Sequence, residues 1–371
     1  MNSFPKIYLD HLPKNSRVAV AMSGGVDSSV VAASLSLSGY EVIGITLQLY
    51  DQGEVTTRRK ACCAGQDIYD ARRVSEKIGF AHYVLDYESV FKKNVIDDFV
   101  SSYLKGETPI PCVRCNQKVK FLDLFKTAKD LGCAALATGH YIRRIQNDTH
   151  VELHKAVDLS KDQSYFLFST TQEQLNFIHF PLGSFNKQYT RELAHKMGLD
   201  IAEKPDSQDI CFVPNGNYRD VVKKMSPSST QSGDIIHIDG AVLGQHSGIV
   251  DFTIGQRKGL GIAYSEPLYV IKIYPESHSV IVGPKEYLKT KHIYVNEVNW
   301  LLDKKQFITP YHGEVKIRST QHSIPATIQM IDEQQALVEL LVDEYGVSKG
   351  QACVFYKGTQ VLGGGWIIDT N

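Results

Sequence analysis

The sequence predicts an α/β fold, in which a doubly wound parallel sheet is followed by a small β-rich central domain and a C-terminal β-barrel. Strand-type and helical runs alternate through the first third, a glycine-rich turn joins the first strand to the first helix, and the pattern beyond about residue 290 is wholly β. Alternating β and α elements favour a parallel sheet covered by helices. At roughly 150 residues per domain, the 371 residues form two or three domains. We expect them at 1–215, 216–288 and 289–371.

The elements of the first third follow from short apolar runs and from helical spacing. Buried strands are predicted at 18–22, 41–49, 83–85 and 133–138. Helices are predicted at 28–37, 67–78 and 119–131. Gly39 lies two residues after the first of these helices and Gly79 directly after the second, where glycine commonly ends a helix.

The rest of the chain is less regular and then becomes β-rich. A short helix is predicted at 190–197, capped by Thr190 and ended by Gly198. The stretch 215–232 has the polar composition of a boundary loop. Strands are predicted after it at 235–238, 248–253 and 268–273, and in the barrel at 315–318, 326–330, 336–341, 352–356 and 361–368.

Composition limits the classes of protein to consider. The chain carries 40 basic and 41 acidic side chains and a net charge of −1, which argues against a broadly basic nucleic-acid binder but not against a local basic patch. Hydrophobic residues make up a globular 43%. No apolar run approaches the ~18–20 residues of a membrane span, and the N-terminal residues lack a signal-peptide pattern. We therefore expect a cytoplasmic protein without a membrane partner, in which seven cysteines are too few for a disulfide scaffold.

The strongest local signal is a glycine-rich octet between the first predicted strand and the first predicted helix. It consists of Ala21, Met22, Ser23, Gly24, Gly25, Val26, Asp27 and Ser28. Glycines let the backbone approach phosphate, and a helix N-terminus offers free N–H groups. The octet lacks the Gly-Lys-Ser/Thr of a Walker A loop and the spacing of the Gly-x-Gly-x-x-Gly dinucleotide fingerprint.

The octet resembles the SGGxDS loop of the PP-loop ATP pyrophosphatases, which have the adenine nucleotide alpha hydrolase-like fold. This resemblance implies ATP and Mg²⁺, with Ser23 and Ser28 bonded to phosphate and Asp27 helping to hold magnesium. Two more positions fit a nucleotide site, because ligands of doubly wound sheets bind at the carboxyl ends of strands. Leu47 lies near the end of the second predicted strand, and Gly139 follows a strand that ends at Thr138.

A second signal is the Cys-x-x-Cys of Cys112 and Cys115, with a distal Cys211. This pattern is typical of a redox pair, half of a zinc site or part of an iron–sulfur site. No second Cys/His pair follows at zinc-finger spacing. The surrounding stretch 105–129 is locally basic, which favours a reactive thiolate and a polyanionic substrate.

These motifs together resemble one family, the tRNA-specific 2-thiouridylases, over essentially the whole chain. Besides the octet and Cys115, the resemblance rests on further matching stretches. They are Asn116 with 120–121, then 137–141, 161–165, 206–212 and 252–261.

The resemblance implies a sulfur transferase that uses ATP to replace the 2-oxygen of the wobble uridine of tRNA with sulfur. It implies Cys115 as the nucleophile, Cys211 as the persulfide carrier and a disulfide between them after transfer. It implies tRNA contacts at Ile110, Pro111, Cys112, His140, Lys161, Asp162, Gln163, Arg318, Ser319 and Gln351. A sulfur donor, either a cysteine desulfurase or a sulfur-relay protein, is the second expected partner, and we expect a monomer on tRNA.

The chain departs from the family pattern at two positions. Members commonly carry an aspartate, sometimes assigned as a general base, three residues before the first catalytic cysteine, and here that residue is Cys112. Relatives with this Cys-x-x-Cys and one distal cysteine resemble a subgroup that holds a 4Fe–4S cluster on three cysteines. Cys112, Cys115 and Cys211 match that set, so persulfide and cluster chemistry both stay open. The neighbour of Arg318 is commonly tyrosine but is Ser319 here.

Two other functions are compatible with parts of the sequence. Another PP-loop adenylating enzyme, such as a carbon–nitrogen ligase, explains the octet but neither the three cysteines nor the barrel. A non-catalytic protein that binds metal or RNA, with zinc at the Cys-x-x-Cys, is the alternative from a different class.

Overall fold

A computed structural model describes residues 6–50, 63–148, 150–206, 209–213 and 216–371. The chain divides into two compact units. The first comprises Met1–Asn94, Cys112–Pro214 and Thr359–Val361, and the second comprises Val95–Pro111, Asn215–Gly358 and Leu362–Asn371. The stretch Val95–Pro111 therefore groups with the C-terminal half, although it lies within the predicted first domain.

The first unit is built on a five-stranded parallel sheet. Its strands and an added hairpin are β1 Arg17–Ala21, β2 Glu41–Gln48, β3 Ala81–Asp86, β4 Ala135–Thr138, β5 Ile142–Gln146, β6 Val151–Lys155 and β7 Ile178–His179. The sheet order is β3-β2-β1-β4-β7, all parallel, and β5 and β6 form the antiparallel hairpin. Val18, Ala19 and Val20 of β1 are fully buried because the central strand is covered on both faces. The predicted doubly wound sheet is confirmed.

Helices alternate with these strands along the chain. In chain order they are α1 Val26–Leu37, α2 Cys63–Ile78, α3 Glu88–Phe91, α4 Asp97–Leu104 of the second unit, α5 Pro111–Cys115, α6 Phe121–Asp130, α7 Gln172–Phe177 and α8 Lys187–Lys196. A π-helical turn, Asn116–Lys120, joins α5 to α6, where the sequence predicts continuous helix from 119. Gly39 and Gly79 follow α1 and α2 with φ of +97° and +91°, so both predicted helix ends are confirmed. Within the described residues, no helix combines the length and apolar character that crossing a membrane requires.

The sheet order places a switch point beside the predicted phosphate loop. β1 lies between β2 on one side and β4 on the other, and the chain crosses over to reach each of them. All these strands end at the same sheet edge because they run parallel. Segments after Ala21, Gln48 and Thr138 therefore emerge side by side.

The second unit holds two β structures. Its strands are β8 Gly233–His237, β9 Val242–His246, β10 Tyr269–Tyr274, β11 Ser279–Gly283, β12 Lys289–Trp300, β13 Tyr311–Lys316, β14 Ile324–Met330, β15 Ala336–Tyr345, β16 Ala352–Lys357 and β17 Gln360–Thr370. The first four form a sheet in the order β10-β11-β8-β9. The others follow the order β12-β15-β14-β13-β16-β17, and β17 pairs with β12 to close a six-stranded barrel. The predicted central β region and C-terminal barrel are confirmed.

Two predicted segments differ from the structure. The supposed loop 215–232 contains α9, Tyr218–Met225, whose Val221 and Val222 are buried, so its polar composition marks one face of an amphipathic helix. The supposed strand 248–253 is a short 3₁₀ turn at Ile249–Asp251 instead. Short apolar runs such as this one, which lies between Gly248 and Gly255, are compatible with a turn as well as with a strand.

The predicted start of α8 is wrong by three residues. The helix begins at Lys187, and Asn186 caps it by accepting a hydrogen bond from the Tyr189 amide at 2.7 Å. Thr190 lies inside the first turn, and its hydroxyl oxygen is 2.8 Å from the Tyr141 hydroxyl. Asn and Thr are both capping residues, so the sequence alone did not separate them.

Replacing Asn186 with alanine is expected to destabilise the first unit by about 1 kcal/mol, because α8 loses its N-terminal cap. Thermal and urea denaturation of the full chain measure the change. Asn186→Asp is the matched control, since it keeps a side-chain acceptor and is expected to unfold close to wild type. Equal stability of Asn186→Ala and wild type would contradict this cap assignment.

Candidate active site

The predicted phosphate loop lies at the carboxyl edge of the sheet, between β1 and α1. Gly24 has φ +70°, and a Cβ there would lie 2.1 Å from the Asp67 carbonyl oxygen, so only glycine fits. Gly25 is the N-cap of α1 in extended conformation and supplies no side-chain acceptor. The first-turn N–H groups of α1 therefore face the loop with the positive end of the helix dipole.

The two loop serines are held together. The Ser23 amide donates to the Ser28 hydroxyl at 3.1 Å, and the two hydroxyl oxygens are 3.3 Å apart. Ser28 is buried, with 4% of its surface exposed. The pair gives the loop one defined shape with two hydroxyl groups at its base.

Gly139 closes the other side of the loop. A Cβ on Gly139 would lie 2.6 Å from the Ser28 amide nitrogen and 2.9 Å from the Asp27 carbonyl carbon. The segment after β4 thus touches the first turn of α1 directly. Leu47, next to last in β2, lies at the same sheet edge. The octet, Leu47 and Gly139 therefore meet as the sequence predicts, which leaves their contact with ATP a prediction.

A network of ion pairs surrounds Asp27. The Lys187 ammonium lies 2.7 Å from both carboxylate oxygens of Asp27 and 2.8 Å from Asp206 Oδ1. The Tyr141 hydroxyl is 2.9 Å from Asp27 Oδ1. Lys161 Nζ and Arg191 Nη2 reach Asp206 at 2.8 and 2.9 Å. Burial disfavours the Asp206 carboxylate, but its hydrogen bonds and charge interactions with lysines outweigh that cost and lower its pKa to about 2.

The three cysteines of the predicted chemical set share one electrostatic environment. Cys115 is buried, whereas Cys112 and Cys211 are accessible to solvent. The surrounding protein raises the pKa of all three thiols, because burial disfavours the charged thiolate. The pKa of Cys211 rises to about 12, since the negative charge of Cys115 and Cys112 adds to the effect of burial. Lys120 partly offsets this at each thiol. Burial disfavours the Lys120 ammonium, yet the thiolates raise its pKa.

His140 connects this cluster to the loop. It follows Gly139, and its Nδ1 is 2.9 Å from the Thr138 hydroxyl. Burial, and then the charge of Lys120, lower the pKa of His140 to about 3. The imidazole is therefore neutral near pH 7, which suits it to hydrogen bonding rather than to phosphate pairing.

Two of the predicted tRNA contacts in the first unit hold internal hydrogen bonds. Asp162 accepts from the Ala156 amide at 2.9 Å and from the Ser164 hydroxyl at 2.6 Å. The Gln163 side chain accepts from the Tyr141 amide at 2.9 Å. These bonds fix the turn that carries Lys161.

The other predicted tRNA contacts lie in the second unit, apart from Cys112. Arg318 donates to the carbonyls of Tyr345 and Gly346 at 2.8 and 2.6 Å and lines a cavity of about 410 Å³. The Gln351 amide donates to the Thr108 carbonyl at 3.0 Å, two residues before Ile110 and three before Pro111. Ser319 follows Arg318 in a turn after β13 and is half-buried.

The two predicted metal sites differ in how well their residues suit the metal. Asp27 has the oxygen chemistry that Mg²⁺ prefers, and both its oxygens pair with Lys187. Among the described residues, no three His, Cys, Asp or Glu side chains are arranged to hold a metal ion. The cysteine set therefore does not fit a three-ligand cluster site as it stands.

Sequence reasoning missed the cations around the loop. It named neither Lys187 nor Arg191 nor Lys204, whose ammonium lies 3.0 Å from the Gly24 carbonyl. One signal was available for Lys187: a lysine in the first turn of a helix opposes the helix dipole and needs an anion nearby. Lys120 was predicted as part of the basic stretch 105–129 and of a stretch that matches the family.

A parallel sheet with an SGGxDS loop at its switch point defines the class of PP-loop, ATP-utilising proteins. Comparisons with known families agree with the fold. Residues 16–215 match the "tRNA methyl transferase HUP domain", 219–284 the "tRNA methyl transferase PRC-barrel domain" and 290–367 the "Aminomethyltransferase beta-barrel domain".

Curated relatives specify the family. The chain is 57% identical over 354 residues to the tRNA-specific 2-thiouridylase MnmA of Rickettsia felis, covering 95% of this chain and 97% of that protein. It is 58% identical to the same enzyme of Rickettsia canadensis, covering 95% and 96%. The chain therefore belongs to the tRNA-specific 2-thiouridylase family, a family of tRNA sulfur transferases, and the predicted membership is confirmed.

Solved structures give weaker likenesses. NMN synthetase from Francisella tularensis has a TM-score of 0.35 and 14% identity, covering 57% of this chain and 77% of its own. A 4-thiouridine synthetase in complex with RNA and ATP has a TM-score of 0.34 and 18% identity, covering 57% and 51%. The family assignment rests on the sequence matches instead.

Gly139→Ala is expected to weaken ATP binding by about tenfold or more, because a Cβ overlaps the backbone of Ser28 and overpacking costs about 1–3 kcal/mol. Isothermal titration with ATP measures the affinity. Gly65→Ala in α2 is the control, since its Cβ meets nothing within 4 Å. Unchanged ATP affinity in Gly139→Ala would show that the close contact between Gly139 and the Ser28 backbone is not part of the nucleotide site.

Alkylation of Cys211 is expected to accelerate about tenfold per pH unit between roughly pH 7 and 9 without levelling off, because only thiolate reacts and the raised pKa keeps the thiol protonated. Mass spectrometry of iodoacetamide-treated, unliganded protein measures the rate at Cys211 against that of free cysteine. A plateau below about pH 8 would mean a lowered pKa and contradict the geometry.

Proposed function

We propose that this chain thiolates position 2 of the wobble uridine of tRNA by adenylating the base oxygen and then transferring sulfur from a Cys211 persulfide. The observation that carries the proposal is that neighbouring residues of the first unit link the phosphate loop to the three thiols. The phosphate loop touches Gly139, His140 follows, and the charge of Lys120 reaches both His140 and the three thiols. An activation site and a sulfur site thus adjoin.

The first step is activation of the base. The uridine leaves the anticodon stack to enter the site, and its 2-oxygen attacks the α-phosphorus of ATP. Pyrophosphate departs, and the N–H groups of the loop and of the α1 N-terminus stabilise its charge, with Lys187 adjacent. Magnesium bound at Asp27 would neutralise phosphate charge. Asp27 can take that role once Lys187 turns towards phosphate.

The second step transfers sulfur. The terminal sulfur of the Cys211 persulfide bonds to carbon 2 of the base, and the bond to the adenylated oxygen breaks to release AMP. The Cys115 thiolate then attacks the inner sulfur of Cys211. The sulfur–sulfur bond of the persulfide breaks, which frees 2-thiouridine and leaves a Cys115–Cys211 disulfide. Lys120, whose charge favours thiolate at both cysteines, supports this attack.

The alternative sulfur source is sulfide on a 4Fe–4S cluster held by Cys112, Cys115 and Cys211. The described residues include no three-ligand group that would hold such a cluster, which favours the persulfide route. In the persulfide route Cys112, in the place of the family's usual aspartate, lines the site without carrying sulfur.

The remaining assignments are part of the same proposal. Lys161 and Arg318 are cations suited to tRNA phosphates, and the other contacts implied by the resemblance accompany them. The enzyme acts as a monomer on tRNA in the cytoplasm, receives sulfur from a desulfurase or relay protein, and keeps domain boundaries near 215 and 288.

Cys115→Ser and Cys211→Ser are each expected to abolish 2-thiouridine formation while tRNA-dependent release of pyrophosphate continues, since activation needs no thiol. Nucleoside mass spectrometry and a pyrophosphate assay measure the two steps. Cys133→Ala is the control, as Cys133 is buried outside the cluster.

The activity of Cys112→Ala and the iron content of the protein separate the two sulfur routes. Under the persulfide route, Cys112→Ala keeps activity and anaerobically purified protein contains no iron. Loss of activity in Cys112→Ala together with stoichiometric iron and sulfide would establish the cluster route. Pyrophosphate exchange that depends on an amino acid rather than on tRNA would overturn the proposed function itself.

A further inference from the structure

Residues 202–206, which precede Cys211 in the chain, are fastened to the phosphate loop and its neighbours by a set of cations. Lys204 Nζ lies 3.0 Å from the Gly24 carbonyl oxygen, inside the loop, and 2.7 Å from Asp67 Oδ1. It also pairs with Asp70 of α2 at 2.5 Å. Lys204 therefore bridges the loop, α2 and its own segment.

Asp206 makes the second attachment. Its carboxylate accepts from Lys187, whose ammonium also pairs with Asp27 in the phosphate loop. The Lys187 side chain is only 12% exposed and Asp206 is 21% exposed, so solvent screens these pairs weakly. One lysine thus joins a loop carboxylate to a carboxylate five positions before Cys211.

Arg191 of α8 locks the same segment. Its guanidinium donates to the carbonyls of Ala202 and Lys204 at 2.6 and 3.1 Å and to Asp206 at 2.9 Å. Three bonds from one planar group fix the backbone path as well as the side chain. On the far side of Cys211, its carbonyl accepts from the Tyr50 hydroxyl at 2.7 Å, and Phe212 is buried against Phe91.

We propose that Asp206 and Lys204 are positioning residues for sulfur transfer: they hold residues 202–206 on the phosphate loop, and this limits how far Cys211, five positions after Asp206, can lie from the activated base. The inference rests on the proposed function and adds a physical link between its two steps. Neither residue is assigned contact with the reacting atoms. Because Lys187 pairs with Asp27 and Asp206 together, nucleotide phosphates that attract Lys187 also change the hold on residues 202–206.

Loss of Asp206 is expected to impair sulfur transfer but not activation of the base. Without Asp206 the loop still binds ATP through its backbone, so activation continues. Residues 202–206 are no longer held on the loop, so the position of Cys211 is less restricted and sulfur transfer to the adenylated base is slower. Misplacement of one reacting group by about 1 Å costs up to about 100-fold in rate.

The test is a single-turnover assay of full-length Asp206→Asn with tRNA, ATP and enzyme charged with persulfide. We expect thiouridine formation to fall at least about tenfold while the pyrophosphate burst stays within about threefold of wild type. Lys204→Met is expected to lower thiouridine formation by at least about tenfold as well. Asp206→Glu is expected to recover part of the thiolation rate, since it keeps the charge.

Asp200→Asn is the matched control, because Asp200 forms exposed ion pairs with Arg73 and Lys77 outside this segment. Thermal denaturation of each variant shows whether it folds. If thiolation and pyrophosphate release stay unchanged in folded Asp206→Asn, or fall equally, the positioning role is wrong. If wild type itself forms no thiouridine, the proposed function fails instead, so the two failures are distinguishable.

Discussion

The contact between Gly139 and the first turn of α1 organises the candidate site. It exists because β1 and β4 are parallel neighbours whose following segments leave the sheet side by side. The absence of a side chain at Gly139 lets two backbones touch, and two residues later Tyr141 reaches Asp27. Through Asp27 the contact extends to Lys187 and so to α8. A backbone approach thus sets the positions of charged groups that are far apart in sequence.

Ion pairs surround the contact between Gly139 and α1. The chain is nearly neutral overall, yet several cations gather beside the loop, and each is matched by a carboxylate of the same unit. Partly buried ion pairs add little net stability, because desolvation offsets attraction. The importance of these pairs therefore lies in arrangement, because they bring charged side chains from distant parts of the chain together beside the loop.

Much of this architecture was predictable from sequence, and the failures have physical causes. The octet, the helix-ending glycines and the alternation of strands and helices are local signals, and the structure confirms the sheet that they predict. The start of α8 was mispredicted because Asn186 and Thr190 are both good caps, and tertiary contact with Tyr141 engages Thr190 elsewhere. Lys187 and Lys204 were missed because their roles arise from partners more than a hundred residues away. The three cysteines were found through spacing and resemblance, and Lys120 belongs to the basic stretch predicted around Cys112 and Cys115. Its charge interaction with the distal Cys211 depends on the fold and was not predictable from spacing.

In the proposed persulfide route, the unequal exposure of Cys211 and Cys115 sets the direction in which sulfur moves. Cys211 faces solvent, whereas Cys115 is only 6% exposed. In this proposed route, a donor protein arriving from solvent reaches Cys211 and is kept from Cys115 by burial. Accessibility rather than intrinsic reactivity therefore sets the order in which the route uses the two thiols.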